Sequence, residues 1–566
     1  MGTLAVALLL HKSCLTDTTL AVALGLGERL SINTTPSLPY FSIIIVGAGP
    51  TGLAAGNLLG MMGIDTLILE RNAGLSAYPK AISIDDEGLR ICQAMGLHHT
   101  VMEHALLDVE AHYISKHRLL ARVAPTSKPN GFPLISTFHQ PTLEATLHKG
   151  LKRYACVSVQ FQSEVESFDQ RDEGVIVTIN TPGEAASSSR RIECAYLLAC
   201  DGGKSSIRRD LGIAMRGSTY AQKWLVLDTE EDTDTTTAVK FFCNPARPAV
   251  TVPSPQLRRR WEFMLLPGET EADLSQPGRA NKMIRQAGGP FAPQITRRVV
   301  YTFHASSAAT YSQGRVFLLG DAAHLMPPFG GQGMNCGLRD AHNLCWKLHL
   351  TLQGLARPTL LSTYSVERRQ HTKHLIRLST FLGAIIMPTS RPLALLRDGI
   401  FRALNTIPTI RRFLSEAAIK PQPRYTKGFM LFPPVEMRFI APSPIASRIA
   451  SLTGKPMTGS MLPQPEITIG DGHKVLLDNA LGPGFALLRL HDDPQKAFAS
   501  LQSDIWQRLG VRFVAIQNQD KHFPLRDPNL FVLVRPDRYV LGVFKDGQED
   551  AFVARLQAYL KGPAHL

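Results

Sequence analysis

The chain has 566 residues, of which 44% are hydrophobic and 19% are charged, and its formal net charge is +14. This composition is typical of a globular protein and excludes a largely disordered one, and the length predicts roughly three domains. The basic residues are scattered and form no dense tail or aromatic-interleaved patch. A solvated basic surface is therefore favoured, and no nucleic-acid partner is expected.

The cysteines and the two chain ends bear on the compartment. The eight cysteines include no CxxC pair and no cysteine–histidine cluster with metal spacing, so we expect free thiols, a cytoplasmic location and no metal site. Residues 1–39 form an N-terminal extension of unknown role, whose apolar runs are too short to span a bilayer but leave membrane association open. The last three residues, 564–566, loosely resemble a peroxisomal address, which is the other alternative.

The first strong pattern along the chain is a strand, a glycine turn and a helix. Ser42–Val46 is a nearly continuous β-branched run, which is typical of a strand buried on both faces of a parallel sheet. The turn Gly47–Gly52, a helix to about Met62 and a second strand, Thr66–Leu69, follow it. A GxGxxG turn in this setting predicts a site for the pyrophosphate of an ADP-containing dinucleotide. Glu70, at the tip of the second strand, is expected to bind the adenosine ribose.

Two more strands run into polar glycine turns. After a predicted β-meander, the apolar run Ala195–Ala199 leads into Cys200-Asp201-Gly202-Gly203. Later, Arg315–Leu319 leads into Gly320-Asp321-Ala322-Ala323-His324, the glycine-rich residues 330–335 and a helix from about Cys336 to Leu352. Asp321 can hydrogen-bond a ribityl hydroxyl, and the helix N-terminus can stabilise negative charge on a reduced flavin ring. The three motifs together therefore favour FAD.

The predicted fold class is α/β: a Rossmann-like FAD-binding domain, an inserted and mostly antiparallel β-sheet substrate domain, and a C-terminal thioredoxin-like domain. The last assignment depends on a βαβ and then ββα order of elements, including a helix near Gln495–Arg508, in a region without cysteine. The predicted parts are 1–39 (extension), 40–211 (FAD-binding domain with inserted strands), 212–303 (substrate sheet), 304–386 (second part of the FAD-binding domain, with long helices), 387–461 (linker with short helices) and 462–566 (thioredoxin-like domain).

These motifs resemble those of the single-component FAD-dependent aromatic monooxygenases, the para-hydroxybenzoate hydroxylase class, and most closely its 3-(3-hydroxyphenyl)propanoate hydroxylases. The resemblance extends from residue 40 to about residue 545 and includes Tyr78–Ile82 and Arg259–Glu271. It implies that NADPH or NADH reduces FAD, that O2 gives a flavin C4a-hydroperoxide, and that a phenol is hydroxylated ortho or para to its hydroxyl group. In related enzymes the C-terminal domain supports dimer contacts, so a homodimer is compatible with the resemblance.

The expected site residues come from the motifs and from the resemblance. The motifs place FAD against Gly47, Ala48, Gly49, Pro50, Thr51, Gly52, Glu70, Arg71, Asp201, Gly202, Asp321, Gly331, Gln332, Gly333, Met334 and Asn335. The resemblance adds Gln140 and Pro327 for FAD, Arg208 for the nicotinamide co-substrate and Phe329 at the substrate end. The chain departs from the family where Lys80 replaces the usual arginine and where Phe329-Gly330 replaces Trp-Gln, so the small aromatic substrate stays unassigned.

The group that deprotonates the phenol cannot be identified from the sequence. Candidates are Asp85, Asp86, Tyr220, His304 and His324. For Asp85 we favour a helix cap, and His304 and Tyr220 are equally compatible with simple packing in the sheet. Two other functions stay open: the same scaffold could perform epoxidation or Baeyer–Villiger oxidation in secondary metabolism, or it could be a non-catalytic FAD-binding protein.

Overall fold

The computed structural model describes residues 38–560 except 117, 181–188, 277, 291–292, 422, 434–437, 440–454, 469–472, 518–524 and 526. The apolar runs of the N-terminal extension and the C-terminal tripeptide therefore lie outside the described residues. The elements listed below belong to one unit, Tyr40–Leu566.

The first eleven strands, in chain order, are β1 (Tyr40–Val46), β2 (Thr66–Leu69), β3 (Ser83–Ile84), β4 (Ala105–Leu106), β5 (Ala111–Ser115), β6 (Arg118–Val123), β7 (Ser136–Phe138), β8 (Val157–Gln160), β9 (Glu164–Gln170), β10 (Val175–Asn180) and β11 (Arg190–Ala199). The next eight are β12 (Met215–Glu230), β13 (Val239–Phe242), β14 (Ala249–Ser254), β15 (Arg258–Met264), β16 (Gln294–Ala308), β17 (Ser312–Gln313), β18 (Val316–Leu318) and β19 (His324–Leu325). The last eight are β20 (Arg438–Phe439), β21 (Lys455–Pro456), β22 (Glu466–Thr468), β23 (Lys474–Leu476), β24 (Ala486–Leu490), β25 (Arg512–Ile516), β26 (Leu530–Val534) and β27 (Val540–Lys545).

The helices are α1 (Pro50–Met61), α2 (Asp86–Ala94), α3 (His98–Glu103), α4 (Gln140–Leu151), α5 (Ser206–Asp210), α6 (Glu271–Ser275), α7 (Arg279–Gln286), α8 (Gly333–Leu352), α9 (Thr359–Ile386), α10 (Arg391–Asn405), α11 (Pro408–Ser415), α12 (Leu477–Leu481), α13 (Ile505–Arg508) and α14 (Glu549–Gln557). Two short 3-10 helices, Gly320–Ala322 and Pro328–Gly330, precede α8.

A parallel sheet forms the centre of the first domain. Its order is β17-β18-β11-β1-β2-β8, and the pairs from β18 to β8 are parallel. Ile43, Ile44 and Ile45 of β1 have no exposed surface, as the β-branched run predicted. Because β1, β11 and β18 are parallel neighbours, their carboxyl ends lie side by side. The three glycine turns that follow these strands therefore meet at one edge of the sheet.

A second sheet forms the wall above this edge. Its order is β19-β16-β12-β15-β14-β13-β5-β6, and every neighbouring pair is antiparallel except β13 and β5. The predicted antiparallel sheet is thus present. The sequence analysis did not identify β5 and β6, which join this sheet from a part of the chain before residue 212. Side chains alternate between the two faces of each strand, so Arg260 and Glu262 share one face of β15, and Trp261 and Phe263 share the other.

The C-terminal region contains the predicted βαβ and ββα order. Its sheet is β25-β24-β26-β27, with β24 parallel to β25 and antiparallel to β26. The predicted helix near Gln495–Arg508 is wrong for most of its length, because only α13 is helical. Carboxylates accept hydrogen bonds from backbone N–H groups that would bond to carbonyl oxygens in a helix. Asp493 accepts from the N–H of Gln495, and Glu549 accepts from those of Gln502 and Ser503.

Buried ion pairs join α8 and α9 to the C-terminal sheet. Glu367 of α9 accepts hydrogen bonds from Lys347 Nζ of α8 and from Arg535, both at 2.8 Å. Arg535 also pairs with Asp537 at 2.6 Å. Because Lys347, Glu367 and Arg535 have no exposed surface, each charge depends on its partners for its stability in the interior.

Candidate active site

A cavity of about 920 Å3 lies between the edge of the parallel sheet and the antiparallel sheet. We call the part formed by the glycine turns the turn side; it comprises Val46–Thr51, Cys200–Gly202, Leu319, Asp321 and Gly330–Met334. We call the other part the sheet side; it comprises Ala111, Tyr113, Val239, Phe241, Val250, Val252, Arg260 and Glu262, from β5, β13, β14 and β15. Phe329 and Lys420 also line the cavity.

Two glycines give the first turn its shape. A Cβ at Gly47, which has a φ of +108°, would lie 2.4 Å from the Cys200 carbonyl oxygen, and a Cβ at Gly52 would lie 2.0 Å from the Gly47 carbonyl oxygen. A Cβ at Gly49 would meet nothing within 4 Å. Helix α1 begins at Pro50 without a side-chain cap, so its first N–H groups are left for an anion at the cavity edge.

Carboxylates stand beside the turns with unused acceptor capacity. Glu70 is held in place by hydrogen bonds from the N–H groups of Ala48 and Asn72, both at 2.9 Å. Asp201 accepts from the Ile207 N–H through Oδ2 at 3.4 Å, but its buried Oδ1 has no partner among the described residues. Burial raises the pKa of Asp201 and of Asp321. A ligand with hydroxyl donors would satisfy these oxygens.

The third turn is held by an asparagine behind it. Asn335 donates to the carbonyl oxygens of Gly331 at 2.8 Å and Ser83 at 3.2 Å, and it accepts from the Asp85 N–H at 3.2 Å. Helix α8 begins at Gly333 without a side-chain cap, and Gly333 lines the cavity. The positive end of a second helix is thus directed at the turn side.

Gln140 fixes another segment of the cavity wall. Its Oε1 accepts hydrogen bonds from the N–H groups of Lys80 at 2.7 Å and Ala81 at 2.6 Å, and its Nε2 donates to Glu144 at 2.7 Å. Gln140 and Lys80 both line the cavity. The glutamine therefore positions the segment of the cavity wall that contains Lys80.

Asp85 is the one predicted base that lines the cavity, and both of its carboxylate oxygens already accept hydrogen bonds from other residues. Its Oδ1 accepts from the Gly88 N–H at 2.9 Å, which confirms the predicted cap of α2. Its Oδ2 accepts from Lys420 Nζ at 2.9 Å and also pairs with Arg339. Burial opposes ionisation, but Arg339 and Lys420 outweigh it and hold the pKa of Asp85 well below its usual range. Asp85 is therefore a poor proton acceptor near neutral pH.

The same cations neutralise the two neighbouring acids. Asp85, Asp86 and Glu87 place carboxylate oxygens within 4.8 Å of one another. Lys420 Nζ bonds to Asp86 at 2.9 Å and lies 3.5 Å from Glu87, while Arg339 donates to Glu87 at 2.7 Å. Positive side chains thus already occupy the space among these carboxylates.

Neither Asp86 nor the other three predicted bases line the cavity formed by the described residues. His304 Nδ1 lies 2.9 Å from Thr219 Oγ1, and His324 Nε2 lies 2.7 Å from Asp340 Oδ2. The Tyr220 hydroxyl is buried without a partner among the described residues. Geometry therefore separates these three side chains from a ligand in the cavity.

Most of the predicted cofactor residues meet in the cavity. Those that line it are Gly47, Ala48, Gly49, Pro50, Thr51, Glu70, Arg71, Gln140, Asp201, Gly202, Asp321, Gly331, Gln332, Gly333 and Met334. Gly52, Pro327, Asn335 and Arg208 do not. Arg208 instead donates to the carbonyl oxygens of Gly203 at 3.3 Å and Ala322 at 3.1 Å, and it therefore ties the second turn to the third.

The sequence analysis missed several polar residues that line the cavity outside the turn side. Tyr113, Arg260, Glu262 and Lys420 all line the cavity. For Glu262 a signal was available: over Arg260–Phe263 the charged residues alternate with Trp261 and Phe263, which places Arg260 and Glu262 on one face of a strand.

The comparisons with known proteins decide the family. A family model described as an FAD binding domain matches residues 40–379. The chain belongs to this family. A second model, the HcaD C-terminal domain, matches residues 459–559.

A 3-(3-hydroxy-phenyl)propionate/3-hydroxycinnamic acid hydroxylase from Shigella sonnei is 36% identical over 523 residues, which cover 88% of this chain and 91% of the relative. An Escherichia coli enzyme of the same name matches to the same extent.

Solved structures agree with this assignment. The flavin-dependent monooxygenase PieE, in complex with FAD and substrate, has a TM-score of 0.75 at 21% identity over 92% of this chain and 98% of its own. OxyS anhydrotetracycline hydroxylase from Streptomyces rimosus has a TM-score of 0.70 at 25% identity, covering 93% and 100%. The predicted family and fold are confirmed. This member of the FAD binding domain family is an aromatic hydroxylase that uses FAD, NAD(P)H and O2. Epoxidation, Baeyer–Villiger oxidation and a non-catalytic role are not favoured.

None of the helices in the described part of the chain combines the length and the apolar character that a membrane crossing requires.

Proposed function

We propose that the chain hydroxylates a phenol that lies against the sheet side of the cavity while FAD lies along the turn side. The observation that carries this proposal is the continuity of the cavity between the three turns and the apolar wall of β5, β13, β14 and β15. FAD, when bound, supplies the redox chemistry, taking a hydride from NAD(P)H and delivering one oxygen atom of O2 to the ring.

The residues present fit FAD. The proposal assigns the pyrophosphate to the uncapped N-terminus of α1, supported by the open space at Gly49, and a ribose to Glu70. It assigns the ribityl hydroxyls to Asp321 and to the unpartnered oxygen of Asp201. The uncapped N-terminus of α8 would face the ring system, where its positive end favours negative charge.

The relatives supply the first substrate candidates. The Shigella sonnei and Escherichia coli enzymes are named for 3-(3-hydroxy-phenyl)propionate and 3-hydroxycinnamic acid. A phenolic hydroxyl donates electron density to the ortho and para carbons, so hydroxylation at one of these carbons is expected. The apolar wall of valines and Phe241 suits an aromatic ring.

The charges near the sheet side bear on the substituent of that ring. Two of the cations that line the cavity are already paired: Arg260 Nε bonds to Asp228 at 2.7 Å, and Lys420 bonds to Asp85 and Asp86. A carboxylate tail would have to compete with these partners. We therefore expect 3-(3-hydroxyphenyl)propanamide, the uncharged analogue, to be turned over with a kcat/KM at least equal to that of the acid.

The experiment is NAD(P)H oxidation by purified, FAD-loaded protein in the presence of each phenol, with product mass measured. Fast oxidation coupled to a product about 16 Da heavier, one oxygen atom, is the expected result. A yellow protein that ignores both the acid and the amide, and every simpler phenol, would refute phenol hydroxylation. The predicted cytoplasmic location and homodimer are part of the proposal and are tested by cell fractionation and sedimentation.

A further inference from the structure

Glu262 is a buried carboxyl group that faces the cavity without a protein partner. It is 7% exposed and lines the cavity from β15. Its strand neighbours are Val226 of β12 and Val250 of β14. Its side chain accepts no hydrogen bond from any of the described residues. An unsatisfied carboxyl in an apolar wall is costly unless a ligand or water supplies the missing bond.

The charged side chain next to Glu262 on the same face of β15 is already bonded to other groups. Arg260, two residues away on the same face, bonds to Asp228 and to the carbonyl oxygens of Pro79 and Lys80, the latter two at 2.7 Å each. The neighbouring strand β14 presents only Val250 and Val252 to the cavity. Glu262 is therefore the carboxylate of the sheet side that is left for a ligand.

Glu262 and the turn side line the same cavity. It pairs across the sheet with Val226, two residues from Trp224. The ring of Trp224 packs edge-on against Phe329 at 5.6 Å between centroids, and Phe329 directly precedes the third glycine turn. A ring between this turn and the sheet could thus present its hydroxyl group to Glu262.

We propose that Glu262 binds the hydroxyl group of the phenol and accepts its proton as the ring is hydroxylated. The O–H bond of the phenol breaks, a new O–H bond forms on a carboxylate oxygen of Glu262, and the electron pair stays on the phenolic oxygen. The added electron density at the ortho and para carbons favours their attack on the oxygen donor. Glu262 releases the proton to water once the product leaves. This inference rests on the proposed function.

The electrostatics of the site suit this step. Burial raises the pKa of Glu262 to about 6, while Arg260 limits the rise and Asp228 adds to it. Tyr113, from β5, is the other titratable group on this wall, and burial raises its pKa as well. Glu262 is thus ionised at neutral pH, and a general base is most efficient when its pKa lies near the working pH.

The first test is a pH series of product formation by Glu262→Gln, with 3-(3-hydroxyphenyl)propionate and its amide as substrates. We expect the wild type to lose activity on the acid side of about pH 6. In Glu262→Gln we expect a loss of about 100-fold or more in kcat, the range of a general base, and the disappearance of this acid limb. Glu262→Asp should restore part of the rate and the limb. Glu166→Gln, the same change on an exposed part of β9, is the matched control. FAD content and melting temperature show that each variant is folded.

The second test is binding of 3-(3-hydroxyphenyl)propionate and of 3-phenylpropionate, which lacks the hydroxyl group, followed by the flavin absorbance. The wild type should prefer the phenol by about tenfold or more, the value of a hydrogen bond to a charged group, and Glu262→Met should lose the preference. Unchanged preference in Glu262→Met, or an unchanged pH profile in Glu262→Gln, would overturn the role of Glu262. A wild type that shows the preference but forms no product would refute the proposed function and still keep Glu262 as the partner of the hydroxyl group.

Discussion

The turn side and the sheet side of the cavity are built by different means. The turn side consists of three short motifs in which backbone groups, helix N-termini and glycines define the surface, so a single added Cβ collides with the main chain at Gly47 or Gly52. The sheet side consists of single side chains contributed by β5, β13, β14 and β15, spread from Ala111 to Glu262. The difference implies a turn side that recognises one constant ligand and a sheet side whose chemistry can change one residue at a time.

The largest effect is expected from closing the first turn. In Gly52→Ala the new Cβ would lie 2.0 Å from the Gly47 carbonyl oxygen, a distance that forces the turn to open. We expect the purified variant to contain less than about a tenth of the wild-type FAD, because the N-terminus of α1 no longer meets the phosphates. The flavin-to-protein absorbance ratio measures this.

Gly399→Ala is the matched control for that variant. Gly399 lies in α10, and a Cβ there meets nothing within 4 Å, so alanine should raise helix stability slightly. Full FAD content in Gly52→Ala would show that the turn side tolerates side chains as the sheet side does, which contradicts the comparison.

The same contrast explains what sequence alone could predict. The turn side was predictable because each motif is contiguous, and most of its residues line the cavity as expected. The sheet side was not, because β5 joins β13 across a long stretch of chain. Lys420 was not predictable either, because it reaches the cavity from a region predicted as linker. Glu262 was visible as one charged position in an alternating strand, but only the packing of β14 and β12 against it makes it a candidate base. His324 was misleading for the opposite reason: it follows the right strand, yet it points to Asp340.

Helix α8, whose N-terminus lies at the turn side, bonds through Lys347 to Glu367, a buried group that titrates. Burial opposes ionisation of Glu367, but Arg535 and Lys347 lower its pKa to about 2, against about 4.3 in an unfolded chain. The unfolded state therefore binds more protons between these values. Glu367 should contribute about 3 kcal/mol to the free energy of unfolding above pH 5, and this contribution should vanish as the pH falls toward 2.

Urea titrations at several pH values test this contribution. Glu367→Gln should be about 3–5 kcal/mol less stable at pH 7, because Lys347 and Arg535 lose a buried partner, and the gap to the wild type should narrow as the pH falls. Glu166→Gln should follow the wild type throughout. If the difference in free energy of unfolding between the wild type and Glu367→Gln stays constant from pH 7 to pH 3, the charge of Glu367 does not stabilise its contact with α8.

A smaller effect distinguishes Asp85 from Glu262, the two candidate proton acceptors that line the cavity. Asp85→Asn keeps an amide that can cap α2 but removes the charge between Arg339 and Lys420. Each cation keeps another acid, Glu87 or Asp86, so we expect a loss of about 1–3 kcal/mol in the free energy of unfolding. The acid limb of product formation should remain near pH 6. Its disappearance would make Asp85, and not Glu262, the proton acceptor.

The smallest effect concerns selectivity at the junction of the two sides. Phe329 lines the cavity and packs edge-on against Trp224 and Phe303, at 5.6 Å and 6.0 Å between centroids. Phe329→Leu shortens this side chain without introducing polarity, so the ratio of kcat/KM for a bulky phenol to that for a small one should rise about tenfold. Phe303→Leu changes the same cluster behind the cavity wall and should leave the ratio within about twofold. Equal selectivity ratios in the two variants would mean that Phe329 contributes to the packing of the cavity wall but does not determine the size of the substrate that fits. FAD content should be unchanged in both, because the turn side depends on backbone that neither substitution touches.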